Sequence, residues 1–369
     1  MRYTTKLYLT FVTSIAVSCT ENREVNILSE AITGSPVKMC SSNVDMGIQD
    51  LFGDITISNN VFDTQVLYGG YLTSKEWGKQ DSLFKIGLGH NEFQRLVFGK
   101  GKNNSILLLN SPFEASKLTS LTTIKNTDSI DAIKNDAKWV KYELSCLPSF
   151  RCVAENFVSL SDTTILILGA PYSQIGHIMS IIDYKNQKVT PLEYWPNDGV
   201  DCDSLPKHSL YTDYCRLFGN DKGRFLYQFE RERFAFIFTI EGAKVNNVKT
   251  LYSTFTEYKS DGSKLNYIQK RQSPKRLTCA VNNKYIYALL KDSDRKGNKL
   301  DEWKNPYVYG NTIEVFDWDG KKQKIIYLDK YGQRIFITED NNMLYLLTDD
   351  FFEDGSRPEI WVYNLNEKL

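Results

Sequence analysis

The chain has 369 residues, with 45 Lys and Arg against 45 Asp and Glu, and it is 41% hydrophobic and 13% aromatic. This hydrophobic content excludes a disordered chain, and the balanced charge lacks the basic excess of a nucleic-acid-binding protein. The 22 Tyr and 20 Phe favour pleated strands, so the composition predicts an all-β fold with no nucleic-acid partner.

The first residues have the pattern of a secretory signal peptide. Arg2 and Lys6 give a positive start, and residues 7–17 form an apolar, uncharged run. This run is shorter than the about 20 residues that a membrane-spanning helix needs. The sequence therefore predicts a signal peptide over residues 1–18 and export of the remaining chain.

Cys19 is expected to carry lipid. The stretch Ala16-Val17-Ser18-Cys19 resembles a bacterial lipobox, which implies cleavage before Cys19, its lipidation, and a polar tether over residues 19–23. Two or more acyl chains anchor a protein stably, because each buried methylene contributes ~0.8 kcal/mol. We expect a membrane-anchored lipoprotein, in the outer membrane and facing the periplasm or the cell surface. The alternative is an ordinary signal peptide followed by an unmodified cysteine.

The other cysteines allow disulfides, because an exported protein meets an oxidising compartment. Cys146 with Cys152 and Cys202 with Cys215 would each close a short local loop, so these are the preferred pairs. Cys279 lies in an apolar strand and is expected to be a buried thiol. The chain has no CxxC or HExxH pattern, so no metal site and no cofactor is predicted.

The middle of the chain repeats with a period of about sixty residues, longer than the usual propeller blade. Paired strands recur in five units, whose second strands begin at Ile106, Ile165, Phe225, Tyr285 and Leu344. Turns rich in Gly, Asn and Asp join the paired strands, and two further strands follow each pair. Four antiparallel strands form one propeller blade, and an irregular unit over Val44–Lys85 raises the count to six.

The two ends of the chain predict how the ring closes. The last unit finishes with its third strand at Glu359–Leu365, which leaves an open edge. Glu24–Gly34 is a spare strand before the first unit and can supply the missing fourth strand. Residues 24–369 are therefore predicted to form a single six-bladed β-propeller of four-stranded antiparallel blades.

A local motif adds a family resemblance. Gly87-Leu88-Gly89-His90-Asn91-Glu92-Phe93 resembles the Gly-x-Gly-Pro-x-Glu-Phe turn of the TolB-like six-bladed propeller lipoproteins of Bacteroidetes, with His90 in the proline position. The resemblance extends diffusely over the mature chain. It implies the propeller fold and the lipid anchor, and it implies no particular activity.

An arginine recurs at the start of the first strand of five units. In a propeller these starts lie on the same face as the loops that join second and third strands, so the residues would share one channel mouth. An electropositive site for an anion is one interpretation. The alternative is that each arginine ties neighbouring blades together. The residues of this candidate site are Arg95, Arg151, Arg216, Arg276 and Arg334, with Tyr172, His177 and Trp303 on the nearby loops.

These patterns favour a binding or scaffolding lipoprotein of the cell envelope over an enzyme. Its partner would be an envelope protein, a glycan or an anionic small molecule, together with the membrane that holds Cys19. The alternative is an enzyme, a hydrolase or lyase, with its site in the channel, although no catalytic residue stands out. Asp198, Asp201 and Asp203 form an acidic loop that allows weak calcium binding as a further alternative.

Overall fold

The fold is mostly β, as the composition predicts. The structure is a computed structural model that describes residues 27–366 apart from 40–46, 53–54, 60–65, 73–75, 88–90, 95, 103–104, 111–117, 126–128, 152–155, 201–203, 214, 231, 256, 261–264, 268–275, 292–308 and 349–358. The signal peptide and Cys19 therefore lie outside the described residues.

Three short strands at the N-terminus each border a different sheet. They are β1 (Leu28–Ile32), β2 (Ser35–Pro36) and β3 (Lys38–Met39). The first sheet is an antiparallel meander of β4 (Gly47–Phe52), β5 (Ile55–Asn59), β6 (Val66–Leu72) and β7 (Glu76–Ile86). Both β3 and β8 (Glu92–Phe93) pair in parallel with β7.

The next two meanders are joined into one eight-stranded sheet. The first comprises β9 (Leu96–Lys100), β10 (Ile106–Asn110), β11 (Ser120–Ile124) and, after helix α1 (Ile130–Lys134) and a 3-10 turn (Asp136–Lys138), β12 (Val140–Glu143). After β13 (Phe150–Arg151), the second comprises β14 (Asn156–Ser159), β15 (Thr164–Leu168), β17 (Met179–Asp183) and β18 (Lys188–Pro191). The short strand β16 (Ala170–Pro171) pairs with β13 and precedes a second 3-10 turn (Tyr172–Gln174).

This joint departs from the separate blades that were predicted. The innermost strands β9 and β14 pair in parallel, and Phe157 lies beside Gly99 in the register. A Cβ at residue 99 would overlap the ring of Phe157, so glycine is what allows the two strands to approach.

Three more sheets follow helix α2 (Ser204–Thr212). One contains β19 (Cys215–Gly219), β20 (Arg224–Phe229), β21 (Phe234–Glu241) and β22 (Lys244–Ser253), and a small hairpin of β23 (Tyr258–Ser260) and β24 (Leu265–Tyr267) follows it. The next contains β25 (Arg276–Val281), β26 (Tyr285–Lys291), β27 (Gly310–Asp317) and β28 (Lys322–Gly332). The last contains β29 (Arg334–Ile337), β30 (Met343–Thr348) and β31 (Glu359–Asn364).

The N-terminal segment completes the last sheet, but with a later strand than predicted. The edge strand on β31 is β2, with Ser35 opposite Val362. The earlier strand β1, which was expected in this position, pairs instead in parallel with β28 of the preceding sheet. The amide of Gly34 donates to Asp329 of β28 over 3.0 Å, and this contact holds the chain where it passes from one sheet to the next.

Apolar clusters fill the spaces between consecutive sheets, and this packing buries both faces of most sheets. The clustered side chains come from neighbouring sheets, as in Ile57 with Ile106, Ile237 with Ile286, and Leu289 with Leu346. Each of these side chains is at most 3% exposed.

The hairpin turns between first and second strands lie together at one end of the sheets. The amide of Asp221, in the β19–β20 turn, donates to Asn283 Oδ1 in the β25–β26 turn over 3.0 Å. Asn282 Nδ2 in turn donates to Asn341 Oδ1 of the β29–β30 turn over 2.9 Å. The opposite ends of these innermost strands, where the arginines lie, must therefore also be neighbours.

Candidate functional site

Three of the recurring arginines begin the innermost strands of consecutive sheets. Arg216 is the second residue of β19, and Arg276 and Arg334 are the first residues of β25 and β29. Each of these strands runs from its arginine to a hairpin turn. Because the turns of neighbouring sheets are hydrogen bonded, the arginines share the opposite end.

Two further charged residues reach the same end from the second strands. Lys291 is the last residue of β26 and lies opposite Arg276 in the register. Glu230 directly follows β20, whose last residue pairs with the first residue of β19. Antiparallel pairing thus brings the end of each second strand beside an arginine. We call the five residues Arg216, Glu230, Arg276, Lys291 and Arg334 the arginine mouth.

Glu230 is the negative charge at the centre of the arginine mouth. Its Oε1 lies 2.9 Å from Arg216 Nε, and the two side chains are 19% and 16% exposed. Burial raises the pKa of Glu230, but the four cations of the mouth outweigh burial and hold this pKa below its ordinary value. Glu230 is therefore a carboxylate at neutral pH.

Lys291 is a buried lysine among other cations. The residue is 8% exposed. Burial, opposed by Glu230 and aided by the three guanidiniums, lowers the pKa of Lys291 to about 8. At neutral pH the described residues of the mouth therefore comprise four cations and one carboxylate.

Arg151 and His208 form a separate contact beside helix α2. A guanidinium nitrogen of Arg151 donates to the hydroxyl of Ser209. His208 is fully buried, and neither ring nitrogen has a hydrogen-bond partner among the described residues. Burial, aided by the charge of Arg151, lowers the pKa of His208 to about 3, so the imidazole stays neutral.

Tyr172 and His177, two other predicted site residues, lie in the connection between β16 and β17. Tyr172 is 46% exposed at the start of a 3-10 turn. His177 Nδ1 lies 2.8 Å from the carbonyl oxygen of Leu192, a contact that fixes a local loop. Arg95 and Trp303 are not among the described residues.

Gln228 ties two neighbouring sheets together. Its Nε2 donates to the carbonyl of Leu277 over 3.0 Å, and its Oε1 accepts from the amide of Cys279 over 2.9 Å. Arg216 forms its ion pair with Glu230, which directly follows β20 in the same sheet as Arg216 itself.

Asp198 has protein partners where weak calcium binding was an alternative. Its two oxygens accept from Lys207 Nζ and from the hydroxyls of Tyr211 and Tyr258, each over 2.8 Å. The amide of Val200 also donates to it, over 3.1 Å. This buried carboxylate anchors α2, and no set of three or more His, Cys, Asp or Glu side chains in the described part of the chain is placed to hold a metal ion.

Each predicted disulfide has one cysteine among the described residues, and that cysteine is a free thiol. Cys146 is an exposed thiol. The thiol of Cys215 is buried, 3.1 Å from the hydroxyl of Tyr227 and 3.4 Å from the carbonyl of Asp213. Their expected partners, Cys152 and Cys202, lie outside the described residues. Cys279 is a buried thiol, and burial raises its pKa above the ordinary value.

Sequence reasoning missed Glu230 and Lys291, although a signal for Lys291 exists. The Asn282-Asn283 turn fixes the β25–β26 register, and that register places residue 291 opposite Arg276. The same counting gives Gln228 opposite Arg216, two positions before Glu230, so it does not find Glu230.

Comparisons with known proteins give only distant similarities. No protein-family model and no curated protein matches the chain. Among solved structures, U3-55K superposes with a TM-score of 0.39 at 8% identity, over 85% of this chain and 77% of that one. The β-propeller domain of Cps50 (Swd1) from Myceliophteria thermophila gives a TM-score of 0.41 at 11% identity, over 89% and 99% of the two chains.

A third solved structure, XC5397 from Xanthomonas campestris, is described as a gluconolactonase. It gives a TM-score of 0.41 at 9% identity, over 92% of this chain and 99% of that one. Similarity at this level carries no functional information. Within the described residues, no helix combines the length and the apolar character needed to cross a bilayer.

Proposed function

We propose that the chain folds as one six-bladed β-propeller. The support is a series of antiparallel meanders along the chain, which begin at β4, β9, β14, β19, β25 and β29. Each has four strands when β2 is counted with the last, and a propeller blade has four. The N-terminal segment joins the last meander through β2 to the first through β3.

The function that we propose for this propeller is binding of an anionic ligand at the arginine mouth. The observation that carries the proposal is the convergence of four cations on a single carboxylate. Among the described residues of the mouth the cations outnumber the carboxylate, and buried charge is stabilised by charge of the opposite sign. Guanidinium groups fit the oxygens of a carboxylate or phosphate in pairs. The ligand is a small oxyanion or the acidic group of a glycan or protein.

We propose that this binding takes place in the cell envelope. Lipid on Cys19 would hold the propeller at a membrane, as in the TolB-like lipoproteins of Bacteroidetes that the sequence resembles. Extended chain spans about 3.3–3.6 Å per residue, so residues 20–27 reach roughly 30 Å. Such a tether keeps the propeller within one molecular diameter of the lipid.

Citrate binding, measured by calorimetry at low ionic strength, tests the mouth. The double variant Arg276→Gln with Arg334→Gln should bind citrate at least about tenfold more weakly, because one charge-assisted bond contributes about 1.5–3 kcal/mol. Glu230→Gln should bind citrate more tightly, since it removes the competing carboxylate. Equal affinity in all three proteins would refute the proposed site.

Arg224→Gln is the matched control for this experiment. Arg224 Nη1 lies 2.5 Å from Asp319 Oδ1 and donates to the carbonyl of Trp318, at the hairpin-turn end of the sheets. This variant removes one arginine without touching the mouth, so it should retain citrate affinity. A loss equal to that of the double variant would mean that general surface charge attracts citrate.

An enzyme is the second candidate, and one observation favours it. Lys291 lies in the same mouth as the carboxylate of Glu230, and its lowered pKa of about 8 lets its amine gain and lose a proton near neutral pH. Such a pair would serve a hydrolase or lyase acting on an anionic substrate.

The lipid anchor has its own test. The Cys19→Ser variant should move from the membrane fraction to the soluble fraction of a cell lysate. Membrane association that still needs detergent for release would refute the anchor and leave the arginine mouth unaffected.

A further inference from the structure

Two lysines of the described chain are almost fully buried, and they differ in their partners. Lys207 is 5% exposed, and its Nζ lies 2.8 Å from Asp198 Oδ1. Lys291 is 8% exposed, yet no carboxylate among the described residues lies within ion-pair distance of its Nζ. A buried ammonium group without a close anion is expensive, so the second lysine is not explained by stability.

The surroundings of Lys291 make its ammonium group easier to deprotonate. Besides burial, the largest charge effects on it from the described residues are those of Glu230, which opposes deprotonation, and of three guanidiniums, which favour it. A lysine that is buried beside other cations loses its proton easily and becomes a nucleophile near neutral pH. The same guanidiniums would hold the carboxylate of an incoming molecule.

We propose that Lys291 Nζ forms an imine with carboxylates that also carry an aldehyde or ketone, such as 2-oxo acids. This proposal rests on the proposed anion site, because the guanidiniums of the arginine mouth must bind the carboxylate. It adds a chemical class of ligand and a covalent step to that site.

The step balances without a further reactant. The lone pair of the neutral Nζ attacks the carbonyl carbon, and Glu230 carries one proton from the nitrogen to the carbonyl oxygen to give a carbinolamine. Glu230 then carries the second proton from the nitrogen to the same oxygen, which leaves as water while the C=N bond forms. One C=O bond is exchanged for one C=N bond, and Glu230 ends in its starting state.

Reductive trapping with glyoxylate and cyanoborohydride tests the proposal on the full chain. Cyanoborohydride fixes the imine as a stable secondary amine, and peptide mass spectrometry locates it. Lys291 should react at least about tenfold faster than any other lysine, since each unit of lowered pKa raises the neutral fraction about tenfold. Its rate should level off near pH 8.

Two small molecules test the contributions of the aldehyde and of the carboxylate of glyoxylate separately. Glycolaldehyde has the aldehyde without the carboxylate, so it should lose the preference for Lys291. Glycolate has the carboxylate without the aldehyde, so it should protect Lys291 from glyoxylate without being trapped.

Two variants test whether the fast-reacting lysine is Lys291. Lys291→Arg keeps the positive charge and should abolish the fast labelled site, provided that its melting curve shows a folded protein. The exposed Lys249→Arg should leave the fast site intact. Uniform labelling of all lysines by glyoxylate, with citrate still bound at the mouth, would overturn the imine and spare the anion site. Loss of both would overturn the proposed function as well.

Discussion

Lys324 Nζ lies 2.9 Å from Glu30 Oε1, an ion pair between residues 294 positions apart that fixes β1 to the edge of β28. Both side chains are largely buried, at 18% and 16% exposed. The N-terminal segment is therefore held by side chains as well as by its strand pairing. Its passage to the next sheet depends on Gly34, which packs against the ring of Tyr363.

Gly34→Val should lower the stability of the whole domain. A Cβ at residue 34 would lie 2.6 Å from the ring of Tyr363, so the segment must move away from the last sheet. We expect a loss of about 1–3 kcal/mol, the usual cost of overpacking, measured by urea unfolding. Gly176→Val is the control, because a Cβ there meets no atom within 4 Å. Equal stability of both variants would contradict a closing role for the segment.

Gln228→Leu should weaken the junction between the sheets of β19–β22 and β25–β28. The substitution leaves the carbonyl of Leu277 and the amide of Cys279 buried without their present partner. We expect a loss of about 2–4 kcal/mol in urea unfolding, because each unsatisfied buried group costs about 1–3 kcal/mol. Gln323→Leu removes only exposed hydrogen bonds and should change stability by less than about 0.5 kcal/mol. A similar small effect at residue 228 would show that apolar packing alone joins the sheets.

Asp198→Asn should release helix α2 from the domain. Burial raises the pKa of Asp198, but hydrogen bonds from Lys207 and two tyrosine hydroxyls lower it by more. The net pKa lies below its ordinary value, so the carboxylate is charged. Asparagine would leave the buried ammonium of Lys207 without a counter-charge, which typically costs about 3–5 kcal/mol. Thermal unfolding and amide exchange in α2 measure the effect. The exposed pair of Lys244 and Glu193 is the comparison, and Glu193→Gln should have almost no effect. An unshifted melting curve for Asp198→Asn would contradict the anchor.

Lys291 should give the domain a distinctive response to alkaline pH. Its pKa in the folded protein is about 8, below the ordinary value of 10.5, so the unfolded chain binds more protons between these values. Stability contributed by this group therefore rises with pH across that window, by up to about 3 kcal/mol. The difference in unfolding free energy between the wild type and Lys291→Met should increase from pH 7.5 to pH 9.5. A difference that falls with pH would mean that Glu230 dominates and raises this pKa.

The repeat in the sequence predicted that Arg216, Arg276 and Arg334 lie at the start of innermost strands, and each does. All three precede hairpins whose turns contain Asn, which is the signal that reveals the strand polarity. The prediction for Arg151 was incomplete, because a residue in α2, Ser209, accepts its hydrogen bond. A short helix inserted between two sheets leaves no trace in the strand periodicity.

Contacts between side chains that are far apart in the sequence could not be predicted from the sequence. Asp198 was considered for calcium because of nearby acidic residues, yet one of its partners, Tyr258, lies 60 positions later. The role of β1 was also misjudged. Its apolar pattern fits either sheet edge, and the choice is made by Lys324 and by the close approach of Gly34 to Tyr363.

The placement of residues 28–39 sets an order for assembly. These residues leave the ribosome before any of the three sheets that they border, and β31, one of their partners, is the last of the described strands. Closure must therefore wait until β31 has been made, and until then β7 and β28 present open strand edges that can pair with other chains. A polypeptide cut short before β31 has nothing for β2 to pair with, so the N-terminal segment acts as a check that the whole domain is present.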